Sequence, residues 1–208
     1  VSAIKGGRIV SCQAHEDEPL HGAAHMAKMA LAAKEGGAVA VRANSPMDIR
    51  AVKAEINLHV VGIYKVKYGD NEVYITTDME STKAIIDAGS DIIALDCTNR
   101  PNYIGEYGTD LIRKIKEQYD ILIMAEISVL SEALLAYKRG ADIIATTLSG
   151  STAYSRQIEP SDFELIKEIR RALPSSFINA EGRISTPEEL LHALDCGADT
   201  VTVGTAIT

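Results

Sequence analysis

Four times along the chain a helical stretch runs into a glycine and a short apolar strand follows. The cassettes are Gly37-Ala38-Val39-Ala40-Val41-Arg42, Gly89-Ser90-Asp91-Ile92-Ile93-Ala94-Leu95-Asp96, Gly140-Ala141-Asp142-Ile143-Ile144-Ala145-Thr146-Thr147 and Gly197-Ala198-Asp199-Thr200-Val201-Thr202-Val203-Gly204. Their glycines stand 52, 51 and 57 residues apart. Each glycine reads as a helix C-cap, because it takes the left-handed conformation without a Cβ clash. A repeat this long holds two strands and two helices, and four copies make eight strands. Each strand ends in a residue unlike its apolar body.

The other strands fall between the cassettes, at 9–13, 59–65, 121–126 and 177–181. Helices are expected at 19–34, 46–55, 79–87, 109–119, from Ser131 through Lys138, at 161–173 and from Thr186 onward. The strands are near-continuous Val, Ile, Leu and Ala, as in parallel strands buried on both faces. Strict alternation of strand and helix points to an α/β fold. No Gly-x-Gly-x-x-Gly follows the first strand and no phosphate-binding P-loop is present, which disfavours an open dinucleotide-binding sheet. The expected fold is therefore a single (β/α)8 TIM barrel over residues 1–208. Its last helix is absent from this sequence, so the protein is expected to continue beyond Thr208.

A net charge of −8 argues against a nucleic-acid surface. No apolar run is long enough to span a bilayer, and three dispersed cysteines fit reduced thiols in the cytoplasm. The segment 66–77 interrupts the alternation. Its Tyr68-Gly69-Asp70-Asn71-Glu72 reads as a tight turn between short extended pieces, a candidate flap.

Barrels of this kind carry their chemistry at the C-terminal mouth of the strands. That mouth collects Gln13, Arg42, Lys65, Asp96, Glu126, Thr147, Glu181 and Gly204. A solvated strand-to-loop transition explains any one of these, but not eight together. Lys65 is the sharpest, since desolvation and a nearby cation such as Arg42 or Arg183 would free its amine to act as a base. Two chemistries remain open for it: removal of a C–H proton next to a carbonyl, or a Schiff base with an aldehyde or ketone. Glu126 and Glu181 are the carboxylate partners. Gly182, Arg183, Gly204 and Thr205 follow the last two strands, where backbone N–H groups commonly hold phosphate. His21 and His25 lie four apart with no evident third ligand, so no metal is expected. Tyr154 is one of five tyrosines in the mouth loops, suited to a sugar face.

These residues also carry a family likeness. Ile9-Val10-Ser11-Cys12-Gln13-Ala14, Gly62-Ile63-Tyr64-Lys65, Thr146-Thr147-Leu148-Ser149-Gly150, Glu181-Gly182-Arg183 and Ala206-Ile207-Thr208 occur in an order that resembles the N-acetylmannosamine-6-phosphate 2-epimerases. The resemblance runs from the first strand to the eighth. It implies a cytoplasmic barrel enzyme of sialic-acid and amino-sugar catabolism. That enzyme would interconvert N-acetylmannosamine 6-phosphate and N-acetylglucosamine 6-phosphate by deprotonation and reprotonation at C2, without cofactor. It implies Lys65 and Glu181 as catalytic residues, with Gln13, Arg42, Asp96, Glu126, Thr147 and Tyr154 around the sugar. Gly182, Arg183, Gly204 and Thr205 would hold the phosphate. The partner would be a small amino-sugar phosphate rather than nucleic acid or membrane, with a homodimer left open. Glu126 stands where the family usually has Asp, and Thr205 where it usually has Gly. A Schiff-base aldolase and a non-catalytic sugar-phosphate-binding barrel are the competing readings.

Overall fold

The computed structural model describes residues 1–208 as one closed barrel of eight parallel strands, each hydrogen-bonded to its neighbours in chain order. They are β1 (Arg8–Cys12), β2 (Ala40–Asn44), β3 (His59–Ile63), β4 (Ile92–Asp96), β5 (Leu122–Glu126), β6 (Ile143–Ala145), β7 (Phe177–Glu181) and β8 (Thr200–Val203). Seven helices pack outside: α1 (Ala23–Glu35), α2 (Ser45–Glu55), α3 (Met79–Asp87), α4 (Gly108–Gln118), α5 (Leu130–Lys138), α6 (Phe163–Ala172) and α7 (Pro187–Asp195). No helix is long and apolar enough to cross a membrane.

The four cassette glycines all have positive φ, at 84°, 103°, 99° and 110°. Each closes its helix with the same pair of bonds. After α3, for example, Gly89 N–H donates to Ile86 and Ser90 N–H to Ile85. Three cassettes then add a clamp. Asp91, Asp142 and Asp199 each accept a bond from the backbone of the preceding strand, at Val60, Ile123 and Ile178. Each also accepts from a cation on the helix before that strand: Lys53, Lys116 or Arg170, at 2.6–2.8 Å. The first cassette has Val39 there. Its backbone still pairs with Arg8, whose guanidinium donates to Gly36 O at 2.8 Å.

Capping accounts for the departures from the expected boundaries. The strand expected at 38–42 begins at Ala40, because Ala38 N–H is taken by Ala33 and Val39 N–H by Arg8. Helix α1 begins at Ala23 rather than residue 19, since Gly22 holds φ 122° just before it. Residues 15–21 form turns instead.

Strand side chains divide by alternation. Ile9, Ala40, Val61, Ile63, Ile92, Ala94, Met124, Ile143 and Ala145 form the barrel interior, closed below by Ile4. Val10, Val41, Val60, Ile93, Ile123, Ile144, Ile178 and Val201 pack outward with helix residues. Counting by twos from the interior set reaches Gln13, Arg42, Lys65, Asp96, Glu126 and Thr147; the same count reaches Glu181 from Phe177, which packs against that set, and Gly204 from Thr202, which bonds to Asn179. All eight residues expected at the mouth therefore stand on the inward register.

Candidate active site

Arg42 is the third residue of β2 and only 2 % exposed. Its guanidinium bridges two carboxylates that the sequence holds far apart. Nη1 donates to Glu181 Oε1, and Nη2 forms an ion pair with Glu126 Oε1. Burial works against its charge, but Glu126 and Glu181 more than offset this and raise its pKa above the usual arginine value. Its Nε is buried and has no hydrogen-bond partner in the protein.

The two carboxylates differ. Glu181 is fully engaged: Thr147 Oγ1 and Asn179 Nδ2 donate to Oε2 at 3.1 and 3.3 Å, opposite the Arg42 contact. Glu126 is 0 % exposed and neither oxygen accepts a hydrogen bond, since the Arg42 contact is an ion pair without hydrogen-bond alignment. Burial pushes its pKa up to about 7, with Arg42 pulling the other way. Glu181 and Glu126 are therefore unlike neighbours of one cation, the arrangement that separates an acceptor from a proton carrier.

Lys65 lies two residues beyond β3. Its backbone is pinned from both sides: its N–H donates to Asn44 Oδ1 at 2.9 Å, and it forms an antiparallel bridge with Ile75. Burial lowers the amine below the ordinary lysine value, and Arg42 lowers it further, while Glu126 and Glu181 oppose the shift. The bridge belongs to a hairpin built as the turn at Tyr68–Glu72 predicts, with Gly69 at φ 58° and Val66 N–H donating to Tyr74 O. Tyr68 stacks on Tyr103 of the β4–α4 loop, with ring centres 3.7 Å apart.

The remaining expected residues separate into those at the centre and those at its edges. Gln13 donates to Ser11 Oγ at 2.6 Å and leaves its Oε1 buried and unpartnered. Asp96 is held by Thr98 and by Arg100 Nη2 at 3.0 Å; burial raises its pKa despite those donors. Tyr154 stands apart, its hydroxyl donating to Glu132 at the start of α5 and accepting from Asn99 N–H. Arg183, at φ 59°, turns its guanidinium to the carbonyls of Ser149 and Pro160. His21 and His25 have their Nδ1 atoms beside backbone carbonyls, and no His, Cys, Asp and Glu cluster is arranged to hold a metal ion.

Two grooves flank the centre. One of about 530 Å³ is lined by Ser11, Glu181, Gly182, Arg183, Gly204 and Thr205, among others. The N–H groups of Gly182, Arg183, Gly204 and Thr205 donate to no protein acceptor. Free backbone donors gathered in one concavity suit an anion. Gly182 must be glycine, since its φ is 109°; no crowding by protein atoms explains Gly204, where an added Cβ would lie 3.5 Å from Ser11. The second groove, about 480 Å³, lies under the hairpin and reaches Asp96.

Sequence reasoning passed over three inward residues: Asn44, Asn179 and Thr202. Each is a polar side chain two positions from a mouth residue, and that spacing is the signal that would have found them.

The fold and its mouth define a (β/α)8 barrel of the kind that performs acid–base chemistry on an anionic small molecule. Comparison with known proteins narrows this. The chain belongs to the N-acetylmannosamine-6-phosphate epimerase family, NanE, whose model matches residues 26–208. It is 48 % identical to an N-acetylmannosamine-6-phosphate 2-epimerase of Caldanaerobacter subterraneus subsp. tengcongensis, over 100 % of this chain and 88 % of that protein. The solved N-acetylmannosamine-6-phosphate 2-epimerase from Clostridium perfringens superposes with a TM-score of 0.95 at 45 % identity, covering 100 % of this chain and 90 % of that one. A thiamine phosphate pyrophosphorylase from Pyrococcus furiosus, at 18 % identity and a TM-score of 0.59 over 96 % of this chain and 85 % of that one, shares the fold alone.

Proposed function

We propose that this protein is a 2-epimerase that interconverts N-acetylmannosamine 6-phosphate and N-acetylglucosamine 6-phosphate in amino-sugar catabolism. The observation that carries the chemistry is the half-buried Lys65 beside the Arg42–Glu126–Glu181 cluster, next to a groove of free backbone N–H groups.

In the open-chain aldehyde the C2 proton is acidic, because its removal gives an enolate whose charge rests on the C1 oxygen. Neutral Lys65 takes that proton and becomes an ammonium. The C2–H electron pair becomes the C1–C2 double bond, and the carbonyl pair moves to oxygen. The developing oxyanion needs a fixed donor in a dry site. The new ammonium is such a donor. A substrate hydroxyl gives a proton to the opposite face of C2, which inverts its configuration and regenerates the aldehyde, and the proton on the Lys65 ammonium returns to that hydroxyl, restoring the neutral amine. Glu181, held by three donors, serves as the acceptor that orients substrate hydroxyls for that transfer. Gln13 Oε1 accepts from a sugar hydroxyl or the amide N–H. Gly182, Arg183, Gly204 and Thr205 receive the phosphate through their backbone N–H groups.

The test is incubation with N-acetylmannosamine 6-phosphate in D₂O, followed by NMR at C2. Appearance of the epimer with deuterium at C2, lost in Lys65→Ala, is the expected result. Unchanged substrate refutes the reading. Borohydride treatment during turnover should leave Lys65 unmodified, whereas an adduct would assign a Schiff base.

A further inference from the structure

Asn179 is the middle residue of β7, faces the barrel interior and is 0 % exposed. Its register neighbours are Ala145 on β6 and Thr200 on β8. Met124 lies against its amide nitrogen, at 4.0 Å from Sδ. An apolar side chain is ordinary in that layer, and a buried amide is costly unless its polar atoms are engaged. Both are. Thr202 Oγ1 donates to Oδ1 at 3.0 Å, and Nδ2 donates to Glu181 Oε2 at 3.3 Å.

The order of these bonds sets the direction of the amide. Thr202 occupies the oxygen side, leaving only the NH₂ group to face Glu181. The carboxylate cannot donate, so this orientation is the one that satisfies both partners. Thr147 completes the shell on Oε2. The carboxyl plane of Glu181 is thus set by Arg42 on one oxygen and by Thr147 and Asn179 on the other.

We infer that Asn179, oriented by Thr202, is the positioning residue that holds the Glu181 carboxylate in its working orientation. The inference rests on the reading of Glu181 as the acceptor of the proposed epimerase. The charged groups facing Glu181 are Arg42 on β2, Lys65 after β3 and Glu126 on β5, with Asp96 on β4 beyond Glu126; β1, β6 and β8 present uncharged Gln13, Thr147 and Thr202. Thr147 Oγ1 is the other uncharged donor to Oε2, and it reaches that oxygen from just past β6 rather than from within the barrel layer of Asn179.

The experiment compares Asn179→Leu, Asn179→Asp, Thr202→Val and the Asn179→Leu/Thr202→Val double variant. Their folding is checked by thermal melts. Asn179→Leu should lower kcat by about 10- to 100-fold with KM within threefold, because the reacting group is misplaced while binding is kept. Asn179→Asp adds a carboxylate beside Glu181 and should move the acidic limb of the pH–rate profile upward. Thr202→Val should lower kcat alone, but add nothing in the Asn179→Leu background, since it acts through the amide. A kcat unchanged in Asn179→Leu, or additive effects in the double variant, overturns the inference.

A readout independent of turnover separates this from failure of the epimerase reading. In protein carrying ¹³C-carboxyl glutamate, the Glu181 signal is identified by its loss in Glu181→Gln. Its chemical shift at one fixed pH should move in Asn179→Leu, because a hydrogen bond to Oε2 is lost. The same chemical shift in both proteins refutes the positioning role, whatever the activity.

Discussion

The two ends of this barrel use the same kinds of polar side chain for opposite ends. At the N-terminal floor, Asp91, Asp142 and Asp199 each meet a strand N–H and a basic side chain. At the C-terminal mouth the pairing is incomplete. Of six buried side-chain N and O atoms without a hydrogen-bond partner, four stand there: Gln13 Oε1, Arg42 Nε and both oxygens of Glu126, one of them in an ion pair with Arg42. A floor exists to be stable, and full pairing minimises its cost. A binding mouth must keep donors and acceptors for a ligand and accept the desolvation penalty meanwhile. The repeated clamp and the unrepeated mouth therefore report stability and chemistry separately.

The sharpest way to break this comparison is to damage each end and measure both properties. Lys65→Ala should reduce kcat by about 10³-fold, within the range that one general base contributes. C2 deuterium exchange should fall in parallel, while the melting temperature stays the same or rises. A loss under tenfold would remove Lys65 from the base role. Asp199→Ala should do the reverse. It leaves the Ile178 N–H unpaired and takes from Arg170 its carboxylate, so that only backbone carbonyls remain to that cation, a loss of about 3 kcal/mol. That corresponds to a fall of about 6–12 °C in Tm for a chain of this size. Turnover at 25 °C should stay within twofold, and a large change in kcat would show that floor and mouth are coupled.

Much of this division is legible in the chain. The four glycines locate the caps, and the eight odd residues at strand ends all take the inward register. Two kinds of feature escape. Because both faces of each strand are buried in the same apolar residue types, alternation is invisible, so Asn179 inside β7 reads as an irregularity rather than as an inward group. The ion pairs also depend on barrel closure. Arg42 and Glu181 are 139 residues apart, and no local signal says that β2 and β7 point their ends at one another. Tyr154 shows the same limit from the other side. Five tyrosines occur in the mouth loops, and only the fold ties this hydroxyl to Glu132.

Glu126 sharpens the comparison by its dependence on pH. Its folded pKa, raised to about 7 by burial, exceeds that of an unfolded glutamate near 4.3. A raised carboxyl pKa stabilises the fold below the unfolded value, and that contribution is lost as pH climbs through the folded one. Glu126→Gln has no proton to lose. Its stability relative to the unsubstituted protein should be nearly level at pH 4.5, rise between there and pH 7, and reach a gain of about 4 kcal/mol at pH 8. Chemical denaturation at the two pH values measures it. A variant less stable at pH 8 would mean that the Arg42 pairing outweighs burial, and the mouth would then resemble the floor. The corresponding substitution below, Asp91→Asn, should lose stability across the same range, since its carboxylate is paired.

The smallest effect is expected at the flap. Tyr68 and Tyr103 stack across two loops, and Asn71 Nδ2 donates to Pro101 O at 3.4 Å. An aromatic pair contributes about 0.5–1.5 kcal/mol beyond its buried area. The same hairpin carries Ile75, which pairs with the backbone of Lys65, so loosening its tip should disturb the mouth only through that strand. Tyr68→Ala should therefore raise KM by about threefold and lower Tm by about 1–6 °C, leaving the pH–rate profile in place. A displaced profile would show instead that the hairpin tip sets the environment of the Lys65 amine, and the mouth would extend further outward than its buried charges indicate.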